Sequence, residues 1–353
     1  MSRFLSTKYA DLEAYTPGEQ PRDKHSIKLN TNESPYPPSP QVLAALTGQD
    51  LEDLRLYSDP EGTALREKLA ARYGCQPGNV FLSNGSDDIL NFAFMAFAQD
   101  GAVFPGLTYS FYPVFADLHK VPYATVPLKE DFTVDVEGLC GTGKFTVLAN
   151  PNAPTGIALP LSEVEKILAS NPDRVVVIDE AYVDFGAESA AGLIDKYDNL
   201  LVVMTYSKSR SMAGARLGFA LASRPIIQDL EKLKYSTNPY NVNRLSIIAG
   251  TAAVEDEDYF QSCCASIRQN RTWTADKLAG LGFTVLPSQA NFIFAKSDKL
   301  SGENLYQGLK KHGVLVRWWA DSGRIQDYVR ITIGSMEQME RLANEIARLL
   351  EGL

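Results

Sequence analysis

The chain has 353 residues, 45% hydrophobic and 22% charged, the balance of an ordinary globular protein with material for about two domains. Its 34 basic residues against 43 acidic ones give a formal charge of −9, which excludes a broad cationic face for a nucleic-acid backbone or an anionic membrane. Any anion it binds must be held by a few placed groups. The opening stretch MSRFLSTKYADLEAY carries frequent charges and no apolar run of signal-peptide length. The most apolar run, FAFMAFA (92–98), is far short of a bilayer span. Cys75, Cys140, Cys263 and Cys264 form neither a disulfide framework nor a C-x-x-C pair. A cytoplasmic protein with reduced thiols is expected. His25, His119 and His312 lack ligand spacing, so no metal site is expected.

Residues 1–40, rich in Pro and Asn, read as an extended arm. Beyond about residue 60, apolar runs of strand length alternate with helix-length segments: NVFLS (79–83), FTVLAN (145–150), RVVVID (174–179) and LLVVMTY (200–206). Continuous apolarity marks strands covered on both faces, so the fold class is α/β with a large, doubly wound, mostly parallel sheet. Ser162 with Glu165, and Ser335 with Gln338, have capping-box spacing before helices. In the last helix Met336, Met339, Leu342, Ile346 and Leu349 form a core-facing stripe. From about residue 280, FTVLPSQANFIFA, VLVRWW and DYVRITIG suggest a smaller α+β unit. The expected division is a large α/β domain over 30–240, with 1–29 and 241–353 forming the arm and the small domain.

Between NVFLS and the helical run ILNFAFMAFA stands Asn84-Gly85-Ser86-Asp87-Asp88. A glycine turn feeding a helix aims free N–H groups and the positive end of the helix dipole at one spot, where a phosphate could bind. An ordinary N-cap by Ser86 explains the same residues. GLCGTGK (138–144) matches G-x-x-x-x-G-K, but Phe145 stands where a magnesium-binding hydroxyl belongs, and a strand follows where a P-loop needs a helix. It reads as a loop before a strand. Val-Ile-Asp179-Glu180-Ala-Tyr182 puts a carboxylate at the C-terminal end of a buried strand, where α/β sheets bind ligands. Such an acid could hold a metal, act as a base, or pair with a protonated ring nitrogen. The segment Thr205-Tyr-Ser207-Lys208, running on to Arg216-Leu-Gly218, decides among these. Lys208 follows directly on LLVVMTY, so its amine is expected beside Asp179. A lysine in low dielectric near other cations loses its proton readily and can form a Schiff base with an aldehyde. Ser207 and Arg216 add a hydroxyl and a fork-shaped cation suited to a phosphate. Together with Asp179 they point to pyridoxal 5′-phosphate.

With these motifs in order, the chain resembles the fold-type I, class I/II aminotransferases, and within them it is similar to the histidinol-phosphate aminotransferase branch. The resemblance runs through LNTNESPYPPSP, LYSDPEG, SNGSDD, GLTYSFY, NPNAPTG, IDEAYVDF, SKSRSMAGARLGF and VRITIG. The branch rests on the arm and on NPYNVN (238–243). It implies that Lys208 carries the cofactor and moves the proton. Asp179 would pair with the ring nitrogen, Tyr182 would bond the phenolic oxygen, and Tyr109 would stack on the ring. Gly85, Ser86 and Asp87 would receive the cofactor phosphate, with Thr205, Ser207 and Arg216 closing round it. Tyr57 matches a tyrosine that reaches the neighbouring subunit's phosphate, so a homodimer with shared active sites is implied. Where the family usually has asparagine immediately before Pro-Thr-Gly, this chain has Ala153; either Asn152 takes over the contact, which is the expectation, or Tyr182 holds that oxygen with less help. Arg330 matches the carboxylate-binding arginine, Arg317 and Tyr15 match phosphate-side positions, and Asn32 joins them on the substrate side. A strand residue snorkelling to solvent is the competing reading of Arg317. The implied activity is ping-pong transamination between L-histidinol phosphate and 2-oxoglutarate, giving imidazole-acetol phosphate and glutamate, in histidine biosynthesis. The alternatives are an aromatic-amino-acid aminotransferase or a threonine-phosphate decarboxylase on the same fold, and a non-catalytic cofactor-binding sensor.

Overall fold

The computed structural model describes residues 2–13, 18–20, 26–320 and 322–352. Among them the strands are, in chain order, Ile27–Lys28 (β1), Val80–Ser83 (β2), Ala102–Pro105 (β3), Tyr123–Val126 (β4), Phe145–Ala149 (β5), Val176–Asp179 (β6), Leu200–Thr205 (β7), Gly218–Ala222 (β8), Phe283–Val285 (β9), Phe292–Ser297 (β10), Val314–Leu315 (β11) and Tyr328–Thr332 (β12). Seven form one sheet in the order β2-β8-β7-β6-β5-β3-β4. Strands β3 to β7 are parallel, and β8 is antiparallel to both its neighbours. The expected doubly wound, mostly parallel sheet is present.

Alternate residues of one strand serve opposite cores. Val176 and Ile178 belong with Leu148, Leu200 and Val202 on one face, whereas Val177 belongs with Val147, Leu201 and Val203 on the other. Both faces need apolar side chains, so these strands are apolar throughout. Each buried Val, Leu or Ile is worth about 1.5–3 kcal/mol, which makes the sheet a rigid base for the loops at its edge.

The antiparallel sheet β12-β10-β9 builds a third core with the helices Glu257–Gly280, Gly302–Lys311 and Met336–Glu351. Parallel pairing of β1 with β11 and burial of Leu29 bring residues 27–33 onto this unit. In the last helix Ser335 and Gln338 form their capping box, and Met339, Leu342 and Ile346 are buried. No box forms at Ser162: Pro160 is the N-cap and the helix begins at Leu161, which puts Ser162 inside the first turn instead of ahead of it. GLCGTGK leads from the helix Val136–Leu139 into β5, a loop before a strand. No helix among the described residues is long and apolar enough to cross a membrane.

Candidate active site

The C-terminal ends of β2, β5, β6 and β7 and the start of β8 share one edge of the large sheet. Two adjoining cavities open there, of about 170 and 440 Å³, and Thr31, Tyr109, Ala153, Tyr182 and Lys208 contribute to the walls of both.

Asp179 ends β6 and is 5% exposed. Its carboxylate accepts from Tyr112 Oη at 2.9 Å and from the Ala181 N–H at 3.3 Å. Burial pushes it up to about 6 even though these bonds favour the charged form, so it is ionised at neutral pH. Lys208 lies in the connection from β7 to β8, and its Nζ donates to the Thr31 carbonyl at 3.1 Å. Burial, with Arg330 opposite, brings it down to about 8. Tyr182 follows β6; its Oη accepts from Asn32 Nδ2 at 3.0 Å, and its ring stands edge-on to Phe292. The Lys208 ammonium lies 6.0 Å from the centre of that ring.

One end of the smaller cavity gathers groups that can receive an anion. The helix Ser86–Phe97 begins there with Gly85 at its N-cap, at φ +92°, and no side chain caps it. Ser86 is therefore the first helical residue and not a cap. Arg216 Nη2 lies 3.7 Å from Asp87 Oδ2, both side chains about half exposed. A pair so exposed is worth under about 1 kcal/mol and does not hold the corner shut against a phosphate. A Cβ on Gly218 would lie 2.6 Å from both Gly85 C and Ser86 N, and one on Gly85 would lie 2.9 Å from Arg216 Nη2. Only glycine at these positions lets β8, the helix start and the guanidinium converge. Beside them, Thr205 Oγ1 donates to Ser207 Oγ at 3.0 Å and accepts from the Ser207 N–H. Tyr109 Oη donates to Asp87 Oδ1 at 2.8 Å, which fixes its ring at the cavity wall.

The larger cavity carries Arg317 and Arg330, joined by reciprocal backbone bonds of 3.0 and 2.8 Å. Both guanidinium groups lie against the Trp319 ring, at 5.5 and 5.6 Å, and Arg330 also lies 5.4 Å from Phe292. Arg330 Nη2 donates to the Asn30 carbonyl at 2.9 Å. Lys208 lines the same chamber, and no carboxylate is among the described residues lining it.

The structure thus gathers Ser86, Asp87, Tyr109, Asp179, Tyr182, Thr205, Ser207, Lys208 and Arg216 around one cavity, and Asn32, Arg317 and Arg330 around the other. Gly85 supports the first through its backbone. Tyr57 lines neither: it is 77% exposed and stacked on Tyr240 at 4.4 Å. Tyr15 lies outside the described residues. Asn152 departs from expectation and lines neither cavity. Its amide nitrogen is engaged elsewhere, donating to the Leu107 carbonyl beyond β3 and to Thr155 Oγ1, both at 3.1 Å. Sequence reasoning missed Tyr112 as the support of Asp179, the Thr31 carbonyl at Lys208, and the bond from Asn32 to Tyr182. Tyr112 stands in GLTYSFY with no feature to separate it from a core aromatic, and a backbone carbonyl has no residue-type signal.

The family model for aminotransferase class I and II matches residues 24–346. The chain is 49% identical to the histidinol-phosphate aminotransferase of Brachyspira hyodysenteriae, over 99% of this chain and 100% of that one. It is also 49% identical to that of Syntrophus aciditrophicus, over 98% of each. The crystal structure of histidinol-phosphate aminotransferase from Sinorhizobium meliloti in complex with pyridoxal-5′-phosphate is similar with a TM-score of 0.83, at 26% identity, over 92% of this chain and 91% of that one. Matched over most of its length and by relatives this similar, the chain belongs to the class I and II aminotransferase family.

Proposed function

We propose that the chain is a pyridoxal-phosphate-dependent transaminase that moves an amino group between L-histidinol phosphate and 2-oxoglutarate, in histidine biosynthesis, and that it works as a homodimer. The observation that carries this reading is the place of Lys208, whose amine stands between a cavity with a buried carboxylate and a chamber with two arginines. Relatives named histidinol-phosphate aminotransferase, at 49% identity over almost the whole chain, support the substrate. Two arginines in one chamber suit the two carboxylates of glutamate or 2-oxoglutarate in one half-reaction and the phosphate of histidinol phosphate in the other.

The donor set fits the cofactor: Arg216 with the helix start for its phosphate, Asp179 for its ring nitrogen, Tyr182 for its phenolic oxygen and Lys208 for its aldehyde. When bound, pyridoxal 5′-phosphate supplies that aldehyde and a ring that takes up the electron pair released at the substrate carbon. Asp179, ionised at neutral pH and oriented by Tyr112, would keep the ring nitrogen protonated. Arg330 would bind the α-carboxylate of glutamate or 2-oxoglutarate, and Arg317 the distal anion, which orients the substrate amine toward Lys208. Lys208, displaced by that amine, would take the proton from the substrate carbon on Nζ and return it on the other side of the exchange. Tyr57, exposed beside Tyr240, would complete the partner subunit's phosphate site.

The test is a coupled assay of glutamate formed from histidinol phosphate and 2-oxoglutarate. Lys208→Ala should abolish turnover while leaving the far-ultraviolet circular dichroism unchanged. Retained transamination in that variant would sink the reading.

A further inference from the structure

Tyr182 walls both cavities, and the direction in which it offers its one proton is fixed from behind. A backbone amide can only donate, and the Asn32 N–H donates to Thr332 Oγ1 at 3.0 Å. The Thr332 hydroxyl gives its own proton to Asn32 Oδ1, 3.1 Å away. With its oxygen engaged, the Asn32 side chain turns its nitrogen outward, and Nδ2 donates to Tyr182 Oη at 3.0 Å. An amide nitrogen accepts nothing. Tyr182 therefore cannot donate back, and among the described residues its proton goes to no other side chain, which leaves it for the cavity. The arrangement is rigid: Asn32 and Thr332 are 1% and 2% exposed, and the Asn32 carbonyl accepts from Asn291 Nδ2 at 3.0 Å. Nothing nearby substitutes for it. Ala153, packed with Phe292 and Tyr182, has no polar side-chain atom, and the Asn152 amide nitrogen is engaged by the Leu107 carbonyl and Thr155 Oγ1.

We propose that Thr332, acting through Asn32, is a positioning residue that holds the Tyr182 hydroxyl as a donor into the cofactor cavity. The proposal rests on the transaminase reading. In that chemistry the acceptor is the cofactor's phenolic oxygen. A donor to this oxygen competes for it with the protonated nitrogen that links Lys208 to the cofactor, and so lowers that nitrogen's affinity for its proton. The charged groups facing Tyr182 are Lys208, Arg330, Asp179 and Asp87, and the variants below leave all four in place.

A pH titration of the holoenzyme's visible absorption reads that nitrogen. Thr332→Val keeps the side-chain shape and frees Asn32 to reverse its amide; the midpoint should rise by about half a pH unit or more, roughly threefold in proton affinity. Thr332→Ser should stay at the wild-type midpoint. Asn32→Asp, which presents only oxygens, should draw the Tyr182 proton to itself and raise the midpoint by more than it does in a Tyr182→Phe background, where only its added charge acts, and that difference decides the matter if Thr332→Val fails to load cofactor. In a Tyr182→Phe background Thr332→Val should add nothing. Midpoints unmoved by Asn32→Asp and Thr332→Val while Tyr182→Phe shifts them would overturn the proposal, as would an equal Thr332→Val shift without Tyr182. A wild-type protein with no visible band dependent on Lys208 would instead overturn the transaminase reading beneath it.

Discussion

Burial and the facing Arg330 guanidinium bring the Lys208 ammonium from the usual 10.5 down to about 8, so near neutral pH the amine is deprotonated on the order of a hundred times more often than a free lysine. The reaction of the apoprotein with pyridoxal 5′-phosphate should accelerate as the pH is raised to about 8 and then level off; stopped-flow absorbance checks this. A rate still climbing toward pH 10 would place Lys208 in water-like surroundings. Asp179 is pushed the other way, to about 6, and on the proposed reading it would still be charged at neutral pH to keep a ring nitrogen protonated. Asp179→Ala should lower transamination by at least about 10²-fold in a protein of unchanged circular dichroism. The adjacent Glu180 lies outside both cavities, accepting from Ser189 Oγ and the Ala190 N–H, and burial pushes it from 4.5 up to about 8. An acid raised in the folded state stabilises fully below its unfolded value and loses that contribution as the pH rises through the folded one. Glu180→Gln should therefore gain on the wild-type apoprotein in Tm between about pH 4.5 and 8, and parallel Tm curves would contradict this. Asp179, Tyr182 and Lys208 were legible because their chemistry demands particular side chains at strand ends. The order of protons through Thr332 and Asn32 was not, because it exists only once residues 300 positions apart are brought together.

At the scale of elements, the decisive connection is β7 to β8. These strands are antiparallel neighbours, so the chain returns without a crossover helix, and the polar segment between them lies along the sheet edge with Lys208 near one end and Arg216 near the other. Gly218 begins the return where a Cβ would strike the backbone of Gly85 and Ser86. Gly218→Ala should push the helix start away and weaken binding of pyridoxal 5′-phosphate at least about tenfold, with little change for pyridoxal, which has no phosphate. Equilibrium dialysis of both compounds checks this, and equal losses would mean that the glycine serves folding alone. The central strands β5, β6 and β7 could be read because burial on two faces writes continuous apolar runs. Strand β4 is exposed along most of its length, β8 is the short run GFALA, and β1 is only two residues long. None of these leaves a periodic signal. Ser162 shows the limit of spacing rules, since a proline two residues earlier took the N-cap position.

For the whole molecule, a net charge of −9 means that anionic substrates must be caught by placed groups, which Arg216, Arg317, Arg330 and one helix start can supply. The exposed pair of Tyr57 and Tyr240 stands outside the chain's own cavities, as a residue serving another subunit would. If sites are shared, co-refolding Lys208→Ala with Tyr57→Ala chains should yield mixed dimers in which one site has both residues, with activity above that of either variant alone. Activity no higher than the separate variants would confine each site to one chain. The central claim, that Lys208 and its surroundings exchange an amino group with histidinol phosphate, is tested most directly in a half-reaction without any oxo acid. L-Histidinol phosphate added to the holoenzyme should convert the visible band once per subunit, 2-oxoglutarate should restore it, and phenylalanine and threonine phosphate should leave it unchanged. An unaltered band, or conversion by phenylalanine or threonine phosphate in place of histidinol phosphate, would contradict the account.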